Sequence, residues 1–192
     1  GFGRLRHLGV REIDVACALQ ALNALDRWMD DWYRDILKTG AADQNHLGST
    51  VAFYLYGRSF FLTDQPVDKA NQEAVSYWLG QGRRYWTTLP RQSQAHLALA
   101  LKRFGGDPQT PADIMRSLKE RSMSSEEMGM YWQDTARSWW WYHAPIETQA
   151  LMIEAFDEVA GDALAVEDCQ VWLLKQKQTQ DWATTKATAD AV

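Results

Sequence analysis

Residues Trp139 to Gln149 decide the fold, and they have the sequence Trp-Trp-Trp-Tyr-His-Ala-Pro-Ile-Glu-Thr-Gln. Four large aromatic side chains precede Pro145, and proline at a first helical position favours a helix that begins there. Such rings bury large areas when they pack between helices, but they also stack on sugars when they are exposed. Because a strongly patterned helix follows, we expect the rings to pack at the entry from a loop into that helix.

A helical pattern extends along the chain on both sides of this stretch. Apolar residues recur at three- and four-residue spacings, and glycine or proline marks most of the interruptions. The pattern predicts helices over residues 11–39, 47–61, 68–85, 92–104, 110–121, 145–161 and 164–176, the end of a helix before residue 10, and a final helix from residue 184. Residues 122–138 lose the helical period, which predicts a loop with at most a short hairpin. Thr110 is predicted to cap its helix because Pro111 follows it.

The same spacings predict which side chains face the core. On the first long helix these are Val15, Leu19, Leu22, Leu25, Met29, Trp32 and Ile36. On the helix that begins at Pro145 they are Ile146, Ala150, Leu151, Ile153 and Phe156. Residues 47–61 are apolar on more than one face, which predicts a helix buried on most sides.

Two parts of the chain share the order helix, tryptophan, threonine pair, helix. Tyr77-Trp78-Leu79 is followed by Trp86-Thr87-Thr88 and Ser93-Gln94-Ala95; Val171-Trp172-Leu173 is followed by Trp182-Ala183-Thr184-Thr185 and Lys186-Ala187-Thr188-Ala189. This similarity predicts a reused helical hairpin whose copies bury their apolar faces against one another. Since residues 47–61 and 92–104 resemble inner helices of a ring, we predict an all-α fold, an α/α toroid of the terpenoid cyclase and protein prenyltransferase type, incomplete in this chain.

Length and charge restrict the class of protein. The 192 residues are 46% hydrophobic with a net charge of -5, which predicts one helical domain over residues 1–192. Without a basic stripe, nucleic acid is not an expected partner. No apolar run approaches the roughly 20 residues of a membrane span, and the first residues lack the order of a signal peptide. The helical pattern is already present at both ends, so we interpret the chain as cut from a longer protein.

Several acidic and histidine residues were considered as metal ligands. Asp30, Asp31 and Asp35 resemble the aspartate-rich motif of helical prenyl-diphosphate enzymes, but the spacing is one residue too long and no second such motif exists. The adjacent Glu167, Asp168 and Cys169 offer zinc ligands but lack a nearby histidine. The four histidines, none paired at helical spacing, are His7, His46, His96 and His143. We therefore expect a solvated charged helix face and no metal.

The two cysteines, Cys17 and Cys169, form neither a disulfide framework nor a metal pattern, so both are expected to be buried free thiols. Cys17 and Gln20 have the spacing of an internal thioester. A thioester ring favours a turn with glycine or proline between the two residues, whereas this pair is separated by alanine and leucine within a helical pattern. We therefore expect no thioester at this position.

Four segments together resemble bacterial alpha-2-macroglobulin-like proteins. They are Gly3 to Val10, Tyr56-Gly57-Arg58-Ser59-Phe60-Phe61, Trp141 to Ala150, and a C-terminal part in which Trp172-Leu173-Leu174-Lys175-Gln176-Lys177-Gln178 precedes Trp182 to Val192. The segments span the whole chain in order, and the Trp-Leu-Leu-Lys-Gln-Lys-Gln part is the most specific.

The resemblance implies a large periplasmic or cell-surface protein that traps or inhibits proteases. This region would be most of its helical thioester-type domain, with proteases as targets and the other domains of the same polypeptide as partners. In members that carry it, a Cys-Gly-Glu-Gln-like motif near the start of the toroid captures the protease. This chain has no such motif, so it either lies upstream of Gly1 or is missing, as in relatives that act by conformational change alone.

A toroidal enzyme is the alternative function, either a prenyl or terpene enzyme or one that acts on glycosides. In the glycoside case Asp134 and Glu147 would act as acid and base beside the aromatic run Trp139 to Tyr142. Nothing in the sequence sets the distance between the carboxylates. We therefore expect a monomeric, non-enzymatic domain with no catalytic, cofactor-binding or metal-ligating residue.

Overall fold

The computed structural model describes residues 2–10, 12, 14–133 and 145–179. This part of the chain contains eight α-helices and a two-stranded hairpin. The helices are α1 (Phe2–His7), α2 (Ala16–Thr39), α3 (Ser49–Ser59), α4 (Gln72–Tyr85), α5 (Arg91–Phe104), α6 (Gln109–Glu120), α7 (Pro145–Ala155) and α8 (Ala163–Thr179). Short 3₁₀ turns at Lys69–Asn71 and Trp86–Thr88 precede α4 and α5, and a π-helical turn at Phe156–Ala160 extends α7.

Helix α5 lies at the centre of the core. It packs against α3 on one side and α7 on the other, and α6 also packs against it. Every residue from Leu97 to Leu101 is inaccessible to solvent. Helix α2 packs against α4, and α8 packs against α7. The chain is therefore mostly helical, as the sequence predicts.

Strands β1 (Met123–Ser125) and β2 (Gly129–Tyr131) form an antiparallel hairpin in which Met123 pairs with Tyr131. The sequence predicts a loop with at most a short hairpin over residues 122–138, and this hairpin lies within that range. Its second strand packs on α8. Next to it, Trp132 is buried and donates a hydrogen bond from Nε1 to the Leu118 oxygen at 2.9 Å. The hairpin is thus fastened to both α6 and α8.

Several predicted helix boundaries need correction, among them the start of α4, which is at Gln72 rather than at residue 68. Helix α2 begins at Ala16 rather than at residue 11. Helix α6 begins at Gln109, before Thr110, and Asp107 supplies the cap because its Oδ1 accepts hydrogen bonds from the amides of Gln109 and Thr110 at 2.9 and 3.3 Å. Pro111 then falls within the first turn, where its missing N–H has no partner to lose. Helix α8 extends to Thr179, beyond the predicted end at residue 176.

The predicted inward positions are partly wrong. Leu25 is 42% exposed, whereas Asp26 and Tyr33 occupy the buried face of α2. In α7 the polar residues Glu147, Thr148 and Gln149 are buried, although the apolar pattern did not include them. Helix α3 is buried on most sides as predicted, except at Phe53, which is 63% exposed.

Some predictions concern residues outside the described ranges: the aromatic run from Trp139, Asp134, His143, and the final helix from residue 184. Among the described helices, none has the combined length and apolarity of a membrane span.

Candidate functional site

Among the described residues, those singled out as possible ligands or catalysts do not converge. Asp31 and Asp35 are exposed on α2, and Asp30 pairs with Arg34 one turn away, Nε to Oδ2 at 2.6 Å. Glu147 is buried in the first turn of α7. Within the described residues, no group of three or more histidine, cysteine or acidic side chains is placed to hold a metal ion.

The three histidines that the structure describes occupy unrelated positions. His7 Nε2 lies within hydrogen-bonding distance of Glu158 Oε2, at 3.1 Å. The Nε2 atom of His46 lies 2.9 Å from the Ala41 oxygen, and the ring of His96 lies 4.7 Å from that of Tyr56. Glu167 and Asp168 are exposed on α8, but Cys169 faces inward on the same helix. The two carboxylates of the possible zinc motif are therefore in solvent, whereas its thiol is in the core.

The two cysteines differ in environment, which corrects the expectation that both are buried. Cys17 is exposed near the start of α2, and Cys169 is fully buried in α8. Burial, with a smaller contribution from Asp168, raises the pKa of the Cys169 thiol to about 12. Because the thiolate is the reactive form, Cys169 is protected from reagents that attack thiolates.

We expect a disulfide reagent at about pH 8 to label one thiol of the folded chain quickly and the second only on unfolding. The fast thiol should be Cys17, so Cys17→Ser should abolish fast labelling. Cys169→Ser is the matched control and should retain it. Fast labelling of folded Cys17→Ser protein would contradict the buried position of Cys169. A Cys17 thiol that reacted only after treatment with an amine would indicate a thioester with Gln20.

A partly buried ionic cluster lies where α3, α5 and α7 end together. We call it the Arg103 cluster and define it as Arg4, Tyr56, Arg103, Glu154 and Glu158. Arg103 donates from Nη2 to Glu154 Oε1 at 2.8 Å and from Nε to Glu158 Oε1 at 2.8 Å. The Tyr56 hydroxyl donates to Glu154 at 3.0 Å, and Arg4 Nε lies 3.1 Å from Glu154 Oε2.

The electrostatics of the Arg103 cluster keep its charges paired. Burial alone would raise the pKa of Glu158, but the hydrogen bonds and charge of Arg103 outweigh burial and lower it. Burial and the nearby Glu154 raise the pKa of Tyr56, so its hydroxyl remains a donor. A carboxylate held by a cation is a poor general base because pairing stabilises its charged form. The cluster therefore has the properties of a structural junction rather than of a catalytic acid–base pair.

Sequence reasoning missed Arg103, Glu154 and Glu158, although one signal was present. Glu154 and Glu158 are four residues apart, which places two like charges on one helix face and is unfavourable in an isolated helix. Such a pair indicates a cation from another helix. Arg103 supplies it at the end of α5, with its guanidinium 4.2 Å from the centre of the Phe60 ring.

A second, fully buried ion pair joins α2 to α3. Arg58 Nε lies 3.1 Å from Asp26 Oδ2, the Tyr54 hydroxyl donates to Asp26 Oδ1 at 2.7 Å, and Arg58 Nη2 donates to the Gln65 oxygen at 2.6 Å. Both charged side chains are at most 3% exposed. This pair connects the two helices.

Gln149 fastens the hairpin to the helical core. Its buried side chain donates from Nε2 to the Met130 oxygen at 2.7 Å and to the Cys169 oxygen at 3.1 Å. One residue of α7 thus bridges β2 and α8, and it belongs to a segment that carries the family resemblance.

Comparison with protein-family models, curated proteins and solved structures finds no match.

Proposed function

We propose that the chain is the helical thioester-type domain of a bacterial alpha-2-macroglobulin-like protease inhibitor. In this proposal the protein is periplasmic or on the cell surface, and it traps proteases through steric enclosure and conformational change. The domain itself catalyses nothing, and its partners are proteases and the other domains of the same polypeptide.

One observation carries the proposal: segments that resemble the family but are far apart in sequence contact one another. Arg6 Nη2, in the segment Gly3 to Val10, donates to the Phe60 oxygen at 3.2 Å, in the segment Tyr56 to Phe61. The His7 and Phe60 rings meet edge to face, with their centres 5.7 Å apart. Arg4 and Tyr56, one from each segment, both bind Glu154 of α7. Two of the four resembling segments thus contact each other, and both contact α7.

The packing order of the helices supports the toroid that the proposal includes. Helices α3, α5 and α7 follow one another side by side, and α2 packs against α4. In each of these pairs a helix thus packs against the next one but one along the chain. This order is expected when successive hairpins each contribute an inner and an outer helix. We propose that the described helices form consecutive hairpins of an α/α toroid.

The electrostatics support a role without catalysis. Glu154 and Glu158 are paired with Arg103, while Asp31 is exposed and Glu147 is buried on a different helix. An acid and a base for glycoside cleavage must flank one bond at a defined separation. The charged residues instead form pairs that join one helix to another. This arrangement suits a domain whose role is structural and conformational.

The experiment uses the complete polypeptide that contains this chain and a protease of broad specificity. If the protein encloses the protease, cleavage of a large protein substrate should fall sharply, while hydrolysis of a small peptide substrate should be unchanged because small molecules still reach the active site. Equal inhibition of both substrates, or of neither, would refute trapping. Heat-unfolded protein serves as the control and should protect neither substrate.

A further inference from the structure

Helix α1 is oriented opposite to an ordinary surface helix. Its apolar side chains, and those that follow it, face solvent: Phe2 is 54% exposed, Leu5 46%, Leu8 65% and Val10 45%. A surface helix normally buries its apolar stripe and exposes its charges. Hydrophobic burial of these side chains therefore does not hold α1 on the core.

Charged contacts hold α1 instead. Arg6 binds Asp64 through two hydrogen bonds, Nη1 to Oδ1 at 2.9 Å and Nη2 to Oδ2 at 2.5 Å. Arg4 pairs with Glu154, and His7 pairs with Glu158. Arg6, Asp64, His7 and Glu158 all retain solvent access. Their attraction is therefore screened by dissolved salt.

Gly3 lies close to two aromatic side chains of the core. A Cβ atom at this position would lie 2.7 Å from Cβ of Phe60 and 3.0 Å from the ring of Phe61. The glycine thus allows α1 to lie directly on these two aromatic side chains. It also makes the docked position sensitive to a single added methyl group.

The core side of this contact keeps one cation without α1. Glu154 and Glu158 are both bound by Arg103, and the Tyr56 hydroxyl donates to Glu154. Removal of Arg4 and His7 leaves these two carboxylates to share Arg103. The excess negative charge opposes release, and the solvent access of Glu158 limits this cost.

We infer that α1 is an electrostatic strap that docks at low ionic strength and is released reversibly as salt rises. Release uncovers Phe60, Phe61 and the outer side of the Arg103 cluster. The released segment loses its contacts with the core, which support its helical hydrogen bonds. This inference is independent of the proposed protease inhibition.

Amide hydrogen exchange tests the strap directly. The reporters are the amides of Leu8, Gly9 and Val10, which donate to the oxygens of Arg4, Arg6 and Leu5 at 2.9, 3.0 and 3.1 Å. Between about 0.05 M and about 1 M sodium chloride, where the screening length falls to about 3 Å, their exchange should accelerate severalfold. The amides of Leu97 to Leu101 should not change.

Three variants distinguish a strap from ordinary fraying of a chain end. Arg6→Gln should accelerate exchange at low salt and reduce its salt dependence. Gly3→Ala should release α1 at any salt concentration without a change in charge. Arg34→Gln, which removes an exposed ion pair on α2, is the matched control and should leave α1 unchanged. Salt-independent exchange in the unaltered chain, or wild-type exchange in Arg6→Gln, would overturn the inference.

Discussion

Replacing Gly129 with alanine is expected to lower the free energy of unfolding by about 3 kcal/mol or more. Gly129 has φ 69°, a conformation that an alanine adopts only with strain. A Cβ atom there would lie 2.2 Å from the backbone oxygen of Asp168 and 3.0 Å from the backbone nitrogen of Trp172. Neither contact can be relieved by rotating a side chain, so β2 would have to move away from α8.

Gly40 provides a matched control for this prediction. Its φ is 68°, and a Cβ atom there would meet nothing within 4 Å. Gly40→Ala should therefore cost only the backbone strain, about 1 kcal/mol. Urea unfolding of both variants, followed by circular dichroism, measures the difference. Equal losses would show that β2 does not press against α8 as described.

The effect of Gly129→Ala should extend beyond the hairpin. Movement of β2 would disturb the Met130 oxygen, which together with the Cys169 oxygen accepts hydrogen bonds from Gln149. A buried carbonyl without its donor costs about 1–3 kcal/mol. The thiol of Cys169 would then become more accessible, so faster labelling of this cysteine would report the same movement.

Much of the helical fold follows from the sequence because local signals set it. Gly40 and Gly161 end their helices with φ of 68° and 61°, as glycine just after a helix often does. Pro145 begins α7 as predicted. Thr110 is the instructive error, because the acid at Asp107 caps the same helix from further upstream. When two residues could cap the same helix, the local backbone geometry determines which of them does so. That geometry cannot be read from the sequence.

The buried polar residues could not be predicted from periodicity. Asp26 lies on the apolar stripe of α2 between Leu22 and Met29, and a hydrophobicity pattern treats it as an interruption. Its burial depends on Arg58 and Tyr54, which are remote in sequence. The same holds for the Arg103 cluster, whose members come from four helices. A charge within an apolar helix indicates a partner but does not identify it.

Removal of one partner of the Asp26–Arg58 pair should have an effect as large as that of Gly129→Ala. Arg58→Met leaves the carboxylate of Asp26 in the core without a cation and should cost about 3–5 kcal/mol. Asp26→Leu leaves the guanidinium unpaired and should cost a similar amount. Tyr54→Phe removes only one hydrogen bond to the carboxylate and should cost about 1.5–3 kcal/mol.

The double variant Asp26→Leu/Arg58→Met decides how the pair acts. With both charges gone, the desolvation cost disappears, so the double variant should be more stable than either single variant. A double-mutant cycle from urea unfolding at neutral pH measures this coupling. Arg34→Ala, which removes the exposed pair with Asp30, is the control and should change stability little. If the two losses were simply additive, Arg58 and Asp26 would stabilise the fold independently. The recovery expected here would show instead that each charge is tolerated in the core only because the other is present, so the pair acts as one unit that links α2 to α3.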